Sequence, residues 1–438
     1  MPTALTPRPN EVNTHHSLPP ARIRGRRSAL ASPRGLATGL IALLPALLLV
    51  QPCLAQTAVP TSPSSASATT GAESNRPARQ TKKANTPAQK KQGSQAAGKK
   101  TKAAKASAAS AAVLIGTGPA YAERPEAMDF AEQIARQRQL PIEWVRQAMA
   151  QARHSPTVVR LMQPPSSPLV KNWRVYRSRF LDEVRIEAGL RFWRTHEKHL
   201  RQAESTYGVP AEIVVGIIGV ETLYGRHMGQ FRVLDALATL AFDFPARHPR
   251  AAERSDYFRK ELEQFLVAQH RSRGEPTSAL GSYAGATGMP QFMPSSIAHF
   301  AVDFDGDGRI DLHNSIADVV GSVAHYLKAF NWKTGMPTHY PVELKPDADL
   351  PFLLAPDILP TFSAQVFQEK GAVLSGAATA HGGPLALIEL LNGADAPSFV
   401  AGTENFYVIT RYNWSSYYAM AVIDLAQEIA RRRSKPAP

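Results

Sequence analysis

The chain has 438 residues, 44% hydrophobic and 20% charged, which is enough for a sizeable core in more than one lobe. Its formal net charge of +14 suggests a nucleic-acid partner, but the charge is confined to a tail. Residues 1–105 hold 16 Lys/Arg against only Glu11 and Glu73, whereas residues 106–438 balance at 34 basic and 34 acidic side chains. The folded part is therefore neutral, which argues against a nucleic-acid-binding domain.

At the N-terminus a basic stretch, residues 22–34, precedes the apolar run LATGLIALLPALLLV at 36–50. The run is too short for a membrane span. Cys53-Leu54-Ala55 then puts a small residue at each of the two positions that a signal peptidase reads. Residues 1–55 thus read as a signal peptide cleaved near Ala55, which makes the protein periplasmic; an uncleaved anchor is the alternative. Arg26-Arg27 could be taken as a twin-arginine signal, but a cofactor-free protein needs no folded export, so the general secretory route is expected. Cys53 is the only cysteine, and Pro52 fits a lipoprotein site poorly. Cleavage after Ala55 removes every thiol, which suits an oxidising compartment and excludes cysteine nucleophiles and thiolate metal sites.

Residues 56–119, rich in Ala, Ser, Thr, Pro, Gln and Lys, cannot bury enough apolar surface to offset their ordering entropy and read as a disordered basic linker. Their lysine pairs (82–83, 90–91 and 99–100) suit weak contact with acidic wall polymers or a membrane surface, although a solvated tether needs no partner. Folded character begins near Arg124, where Phe130, Ile134, Leu140, Ile142, Val145 and Met149 recur at helical spacing. Helical periodicity runs to about residue 270, broken at Pro164, Pro165 and Pro168, with a fresh start at Val209-Pro210. From about Thr338 the texture turns towards strand, as at 340–344 and 406–410, and residues 418–433 return to helix. The expected class is mainly α with minor β.

The helix after Pro210 reads AEIVVGIIGVETLYG, apolar on nearly every face through Ile213, Val214, Ile217, Ile218 and Val220, and should be buried. Glu221 follows directly, with Gly225 as the expected stop. Desolvation at that position raises a carboxyl pKa, as a general acid near neutral pH requires. The spacing fits equally well a carboxylate paired with a core arginine such as Arg226 or Arg232.

Four blocks carry a family resemblance: GIIGVETLYGR (216–226), LDALATL (234–240), GSYAGATGMPQFMPSS (281–296) and TRYNWSSYYAMAV (410–422). In this order they resemble the lytic murein transglycosylase B family, over roughly residues 125–433. The resemblance implies a lysozyme-like catalytic core at about 200–335, with a helical N-terminal part and an α/β C-terminal part packed on it. It implies Glu221 as the sole catalytic acid and Ser282, Gln291, Tyr412, Asn413 and Tyr418 as substrate-binding residues. It also implies peptidoglycan glycan strands as partner, and the protein itself is expected to be a monomer. Ordinary glycosidases need two carboxylates flanking the bond, whereas a lytic transglycosylase closes a 1,6-anhydro ring with one. Without the resemblance, Ser282 reads as a turn residue and Tyr412 as a core aromatic. The segment after Pro245, with Arg247, His248, Pro249 and Arg250, departs from the family's tighter arginine-bearing loop. A hydrolytic muramidase and an inactive wall-binding protein are the alternative functions.

Asp303-Phe304-Asp305-Gly306-Asp307-Gly308-Arg309-Ile310 resembles an EF-hand loop, with carboxylates at positions one, three and five and glycine at six. The twelfth position holds Asn314 where Glu is usual. The family's longer loop implies Asp318 as a later ligand, so the expected site is a structural Ca²⁺ held by Asp303, Asp305, Asp307, the Arg309 carbonyl and Asp318, with Asp311 in reserve. The 13 histidines form no His-x-x-x-His pair, so no zinc site is expected.

Overall fold

The computed structural model describes residues 112–165 and 170–434. The signal peptide and most of the linker read from the sequence lie outside them. Helices dominate. α1 (Pro125–Arg138), α2 (Ile142–Gln151) and α3 (Pro156–Met162) precede the proline-rich break, and α4 (Trp173–Ser178) and α5 (Glu183–Tyr207) follow it. Next come α6 (Ala211–Thr222), α7 (Val233–Phe242), α8 (Ala251–Arg271), α9 (Pro294–Phe300) and α10 (Ile316–Ala329). Short strands β1 (Phe231–Arg232) and β2 (Leu280–Gly281) pair antiparallel within this stretch.

The C-terminal part mixes strand and helix. β3 (His339–Pro341), β4 (Glu343–Leu344), α11 (Leu350–Leu354), α12 (Ala364–Glu369), β5 (Ala372–Val373) and the hairpin β6 (Ala386–Asn392)–β7 (Asp395–Gly402) lead to α13 (Glu404–Tyr412) and α14 (Ser416–Arg433). β3, β7 and β6 form one antiparallel sheet in that order, and β4 pairs with β5. No helix of the described residues is long and apolar enough to cross a membrane.

The apolar pattern sorts the described residues into three clusters. α5, α6, α10 and α14 share the largest, α1, α2, α7 and α8 share a second, and the β6–β7 region with α11 and α12 forms a third. α6 is the centre of the first: every residue from Ile213 to Val220 is buried, as expected of a helix with no polar face. Pro210 caps its start, as its sequence predicts.

Three expectations need correction. The linker was expected to run to residue 119, yet its last residues are tied to the core. Leu114 N–H donates to Gln230 O (2.8 Å), and the Gly116 N–H donates to the buried Asp235 carboxylate (2.8 Å). Composition hides this because the attachment is made by backbone groups, which any sequence carries. Residues 406–410 are helical, within α13, rather than strand: Thr403 Oγ1 accepts from Asn405 N (3.1 Å) at the helix start, and this cap with burial of Phe406, Val408 and Ile409 overrides β propensity. Finally, α6 stops at Thr222, before Gly225. Leu223 and Tyr224 take left-handed φ of 50° and 59° ahead of Gly225 at 85°.

Candidate active site

That unusual turn is what presents Glu221. A non-glycine residue at positive φ costs on the order of 1 kcal/mol and persists only where its surroundings hold it. Here Thr222 Oγ1 donates to Met289 O (2.9 Å) and accepts from Gly225 N (3.0 Å), tying the helix end to the 281–296 block. Tyr224 drives its ring against Phe192 (centroids 5.2 Å apart) and buries its hydroxyl between α5 and α6. A Cβ at Gly189 or Gly219 would collide with that hydroxyl, so both glycines are demanded by the wedge.

Among the described residues Glu221 makes no ion pair; Arg232 is instead committed to Asp235 (2.6 Å), and Arg226 is exposed. The Tyr418 hydroxyl donates to Glu221 Oε1 at 2.6 Å. Glu221 keeps limited solvent access as a residue, but its carboxyl group is enclosed by protein. Desolvation pushes its pKa up to about 7, against the opposing pull of the Tyr418 hydrogen bond. Among the described residues no Asp or Glu contributes to the shift. The groups that sense the Glu221 charge are phenols: Tyr176, Tyr412 and Tyr418 are each pushed above the usual tyrosine range, chiefly by burial and then by the neighbouring carboxylate.

The break between α13 and α14 gathers most of the residues expected from the C-terminal block. Tyr412 and Tyr418 stack with centroids 6.4 Å apart, and Tyr412 donates to Pro290 O (2.5 Å). Asn413 between them leaves the helix with φ −148°, and its buried Oδ1 has no hydrogen-bond partner among the described residues. An orphaned buried acceptor costs about 1–3 kcal/mol and is the kind of atom a substrate N–H would satisfy. Ser415 Oγ then caps α14 by accepting from Tyr418 N (3.3 Å).

Ser282 and Gln291 are engaged internally. Ser282 Oγ accepts from Ala284 N (3.3 Å) and Ala286 N (3.1 Å), a turn role. Gln291, at φ 51°, donates its amide to Met228 O and Gly288 O, both at 3.0 Å. One residue was missed from the sequence. Tyr176 belongs to the phenol ring around Glu221, and its only signal was an aromatic three residues after Trp173. Arg254, in the arginine-bearing segment after Pro245, is 4% exposed, and its Nε and Nη1 have no partner among the described residues, unlike Arg250, which pairs with Glu253.

In the aspartate loop the carboxylates of Asp303, Asp305 and Asp307 bring ligand atoms within 4.8 Å of one another, as a hard cation requires. Asp303 also accepts the Gly306 and Gly308 N–H groups (2.7 and 2.8 Å). Asp318 stands outside that group. It is 1% exposed and gives one oxygen to Phe304 N and the other to Asp311 N, both at 2.8 Å. Asp311 caps the following turn by accepting from His313 N and Asn314 N.

The transglycosylase SLT domain family matches residues 122–427. Membrane-bound lytic murein transglycosylase B of Escherichia coli is 38% identical over 325 residues, 72% of this chain and 86% of that protein. Among solved structures, the soluble lytic transglycosylase SltB1 of Pseudomonas aeruginosa is 39% identical, covering 71% of this chain and 100% of its own, at a TM-score of 0.64. Escherichia coli Slt35 in complex with calcium is 36% identical over 74% and 97%, at 0.62. Pseudomonas aeruginosa SltB3 with NAG-anhNAM-pentapeptide is 30% identical over 70% and 79%, at 0.58. These likenesses span the helical body, the Glu221 turn and the C-terminal block together, and the chain belongs to the lytic murein transglycosylase B family, enzymes that cleave peptidoglycan on a lysozyme-like fold.

Proposed function

We propose that the chain breaks the β-1,4 bond between N-acetylmuramic acid and N-acetylglucosamine without water, and that Glu221 serves as acid and then base. The carrying observation is the Glu221 carboxyl group, raised to about 7, ringed by phenols and, among the described residues, without a carboxylate partner. Protonated Glu221 gives its proton to the glycosidic oxygen as the C1–O bond breaks, and the substrate's N-acetyl oxygen stabilises the positive C1. Glu221, now anionic, takes the proton of the C6 hydroxyl while O6 bonds to C1. The cycle ends with Glu221 protonated again, so a second carboxylate is not needed.

Asn413, through its orphaned Oδ1, and the stacked Tyr412 and Tyr418 are the proposed sugar contacts, with Ser282 and Gln291 shaping the loop beside them. The binding of NAG-anhNAM-pentapeptide by SltB3 supports an anhydro product. Mass spectrometry of muropeptides from purified sacculi tests the reading. Anhydro ends, lighter by one water than hydrolysed ends, are expected, and reducing ends alone would make the protein a muramidase.

The same proposal places the enzyme in the periplasm, as a monomer on a basic tether. It gives the Asp303–Asp305–Asp307 loop a structural Ca²⁺, with the Arg309 carbonyl completing the turn and Asp318 bracing the loop from within. Saturating calcium is expected to raise Tm by several degrees through binding to the folded state alone. A Tm unchanged across a calcium and chelator titration would remove the ion from the reading.

A further inference from the structure

Arg185, on the first turn of α5, joins two pieces of chain that frame Glu221. Its side chain is 15% exposed, the more buried partner of its ion pair with Asp182. Nε donates to Gly219 O at 3.1 Å, and Nη1 donates to Arg179 O (2.6 Å) and to Asp182 Oδ2 (2.7 Å). Gly219 lies in the last turn of α6, two residues before Glu221. Its carbonyl also accepts from Leu223 N (3.2 Å), where the left-handed turn begins. One guanidinium therefore grips both the end of the helix that carries Glu221 and the α4–α5 corner.

Each grip reaches the site by a short route. At the corner, the guanidinium carbon stands 5.3 Å from the centre of the Phe180 ring. Phe180 packs against Tyr176, with centroids 5.2 Å apart, and Tyr176 is one of the phenols that sense the Glu221 charge. On the α6 side, the buried Tyr224 hydroxyl of the wedge senses the charges of both Arg185 and Asp182. Carbonyls in the last turn of a helix run out of helix to pair with and favour a cation. A planar fork of several donors can serve two separate acceptors at once, which a single ammonium does poorly. Arg185 has no direct charge effect on Glu221, whose carboxyl is raised by burial and drawn back only by the Tyr418 hydrogen bond. Its influence has to pass through position.

We propose that Arg185 is a positioning residue for the reaction: by holding Gly219 O to the α4–α5 corner, it fixes the turn that aims Glu221 and keeps water from the carboxyl group. This rests on the reading of Glu221 as acid and base.

The experiment measures kcat, KM and the pH dependence of kcat/KM on soluble peptidoglycan strands, well below every Tm. It compares the full chain with Arg185→Met, Arg185→Lys and Asp235→Ala. The last unfastens the buried Arg232–Asp235 pair on α7 and controls for lost stability alone. Arg185→Met is expected to lower kcat by about 10²-fold with KM nearly unchanged, since a misplacement of roughly 1 Å at a reacting group costs that much. Water reaching the carboxyl should also move the alkaline decline of kcat/KM down by about one pH unit. Arg185→Lys keeps the charge but holds only one of the two acceptors, so it should fall between Arg185→Met and the wild type in both readouts. It carries the test alone if the methionine variant does not fold. Asp235→Ala should keep the wild-type kcat and pH decline. Wild-type kinetics in the Arg185 variants, or a lower kcat with the pH decline unmoved, would overturn the proposal. So would an upward shift of the decline, the mark of a lost direct charge effect. If Glu221→Gln cleaves the same strands normally, it is the acid–base reading that fails, and the inference falls with it.

Discussion

Glu221→Gln is expected to abolish release of anhydromuropeptides from purified sacculi, with a rate loss of about 10³-fold or more, while the protein folds and still binds the wall. General acid and base catalysis each contribute about 10²–10⁴ in rate, and here one group performs both. Glutamine keeps the acceptor for the Tyr418 hydroxyl, so the geometry survives and only proton transfer is lost. A variant digesting sacculi at the normal rate would remove Glu221 from the mechanism.

The same residue sets two pH dependences. The proposed first step needs protonated Glu221, so kcat/KM should decline above pH 7, towards tenfold per unit, with no acid limb from a partner carboxylate. Stability moves in the same direction. The folded state raises this carboxyl from its unfolded value near 4.5 to about 7, so between those values the folded form holds a proton that the unfolded form has released. Ionisation therefore costs stability as pH rises through that window, by up to about 3 kcal/mol above pH 7, and costs nothing below pH 4. Glu221→Gln should accordingly melt higher than the wild type at pH 8, by roughly 5 °C, and equally at pH 4. A variant that melts lower at pH 8 would show that the carboxylate is not desolvated. A protein made more stable by loss of its proposed catalytic group fits a site built for reactivity.

How far the sequence reached depends on which physical signal each feature carries. The burial of α6 was legible because Ile213 to Val220 leave no polar face, and the raised pKa of Glu221 followed from that burial alone. The choice between acid and ion pair was not legible, because Arg232 reaches Asp235 in the folded chain and no spacing rule says so. The four quoted blocks named Tyr412, Asn413 and Tyr418, which the break between α13 and α14 brings together. Tyr176 arrives from a six-residue helix after the proline-rich break, and only packing places it among them. The left-handed turn at Leu223–Tyr224 was hidden for a similar reason: the wedge that sustains it uses glycines at 189 and 219, on two different helices. Ser282 accepts two backbone N–H groups of its own turn, a contact that its bare sequence context already suggested.

Asp235→Ala is expected to be the most destabilising of the changes considered, although it lies outside the catalytic machinery. The carboxylate is 1% exposed and accepts from four donors. Arg232 reaches it twice, through Nε (2.7 Å) and Nη2 (2.6 Å), and the backbone N–H groups of Gly116 and Arg153 each donate at 2.8 Å. It thus fastens three distant pieces of chain, the segment at 114–118, the end of the α2–α3 connection and the start of α7. Alanine leaves a nearly buried guanidinium without its counter-charge and orphans two N–H groups, a loss of about 3–5 kcal/mol. Tm should drop by roughly 10 °C. Adding Arg232→Ala should restore part of the loss, because the stranded charge is then gone, giving a coupling of at least about 1 kcal/mol in a double-mutant cycle. Activity per folded molecule at 20 °C should be unchanged, and residues 112–118 should become accessible to limited proteolysis. Additive losses in the cycle would mean that the pair is not coupled, and that Asp235 acts only as an acceptor for the backbone.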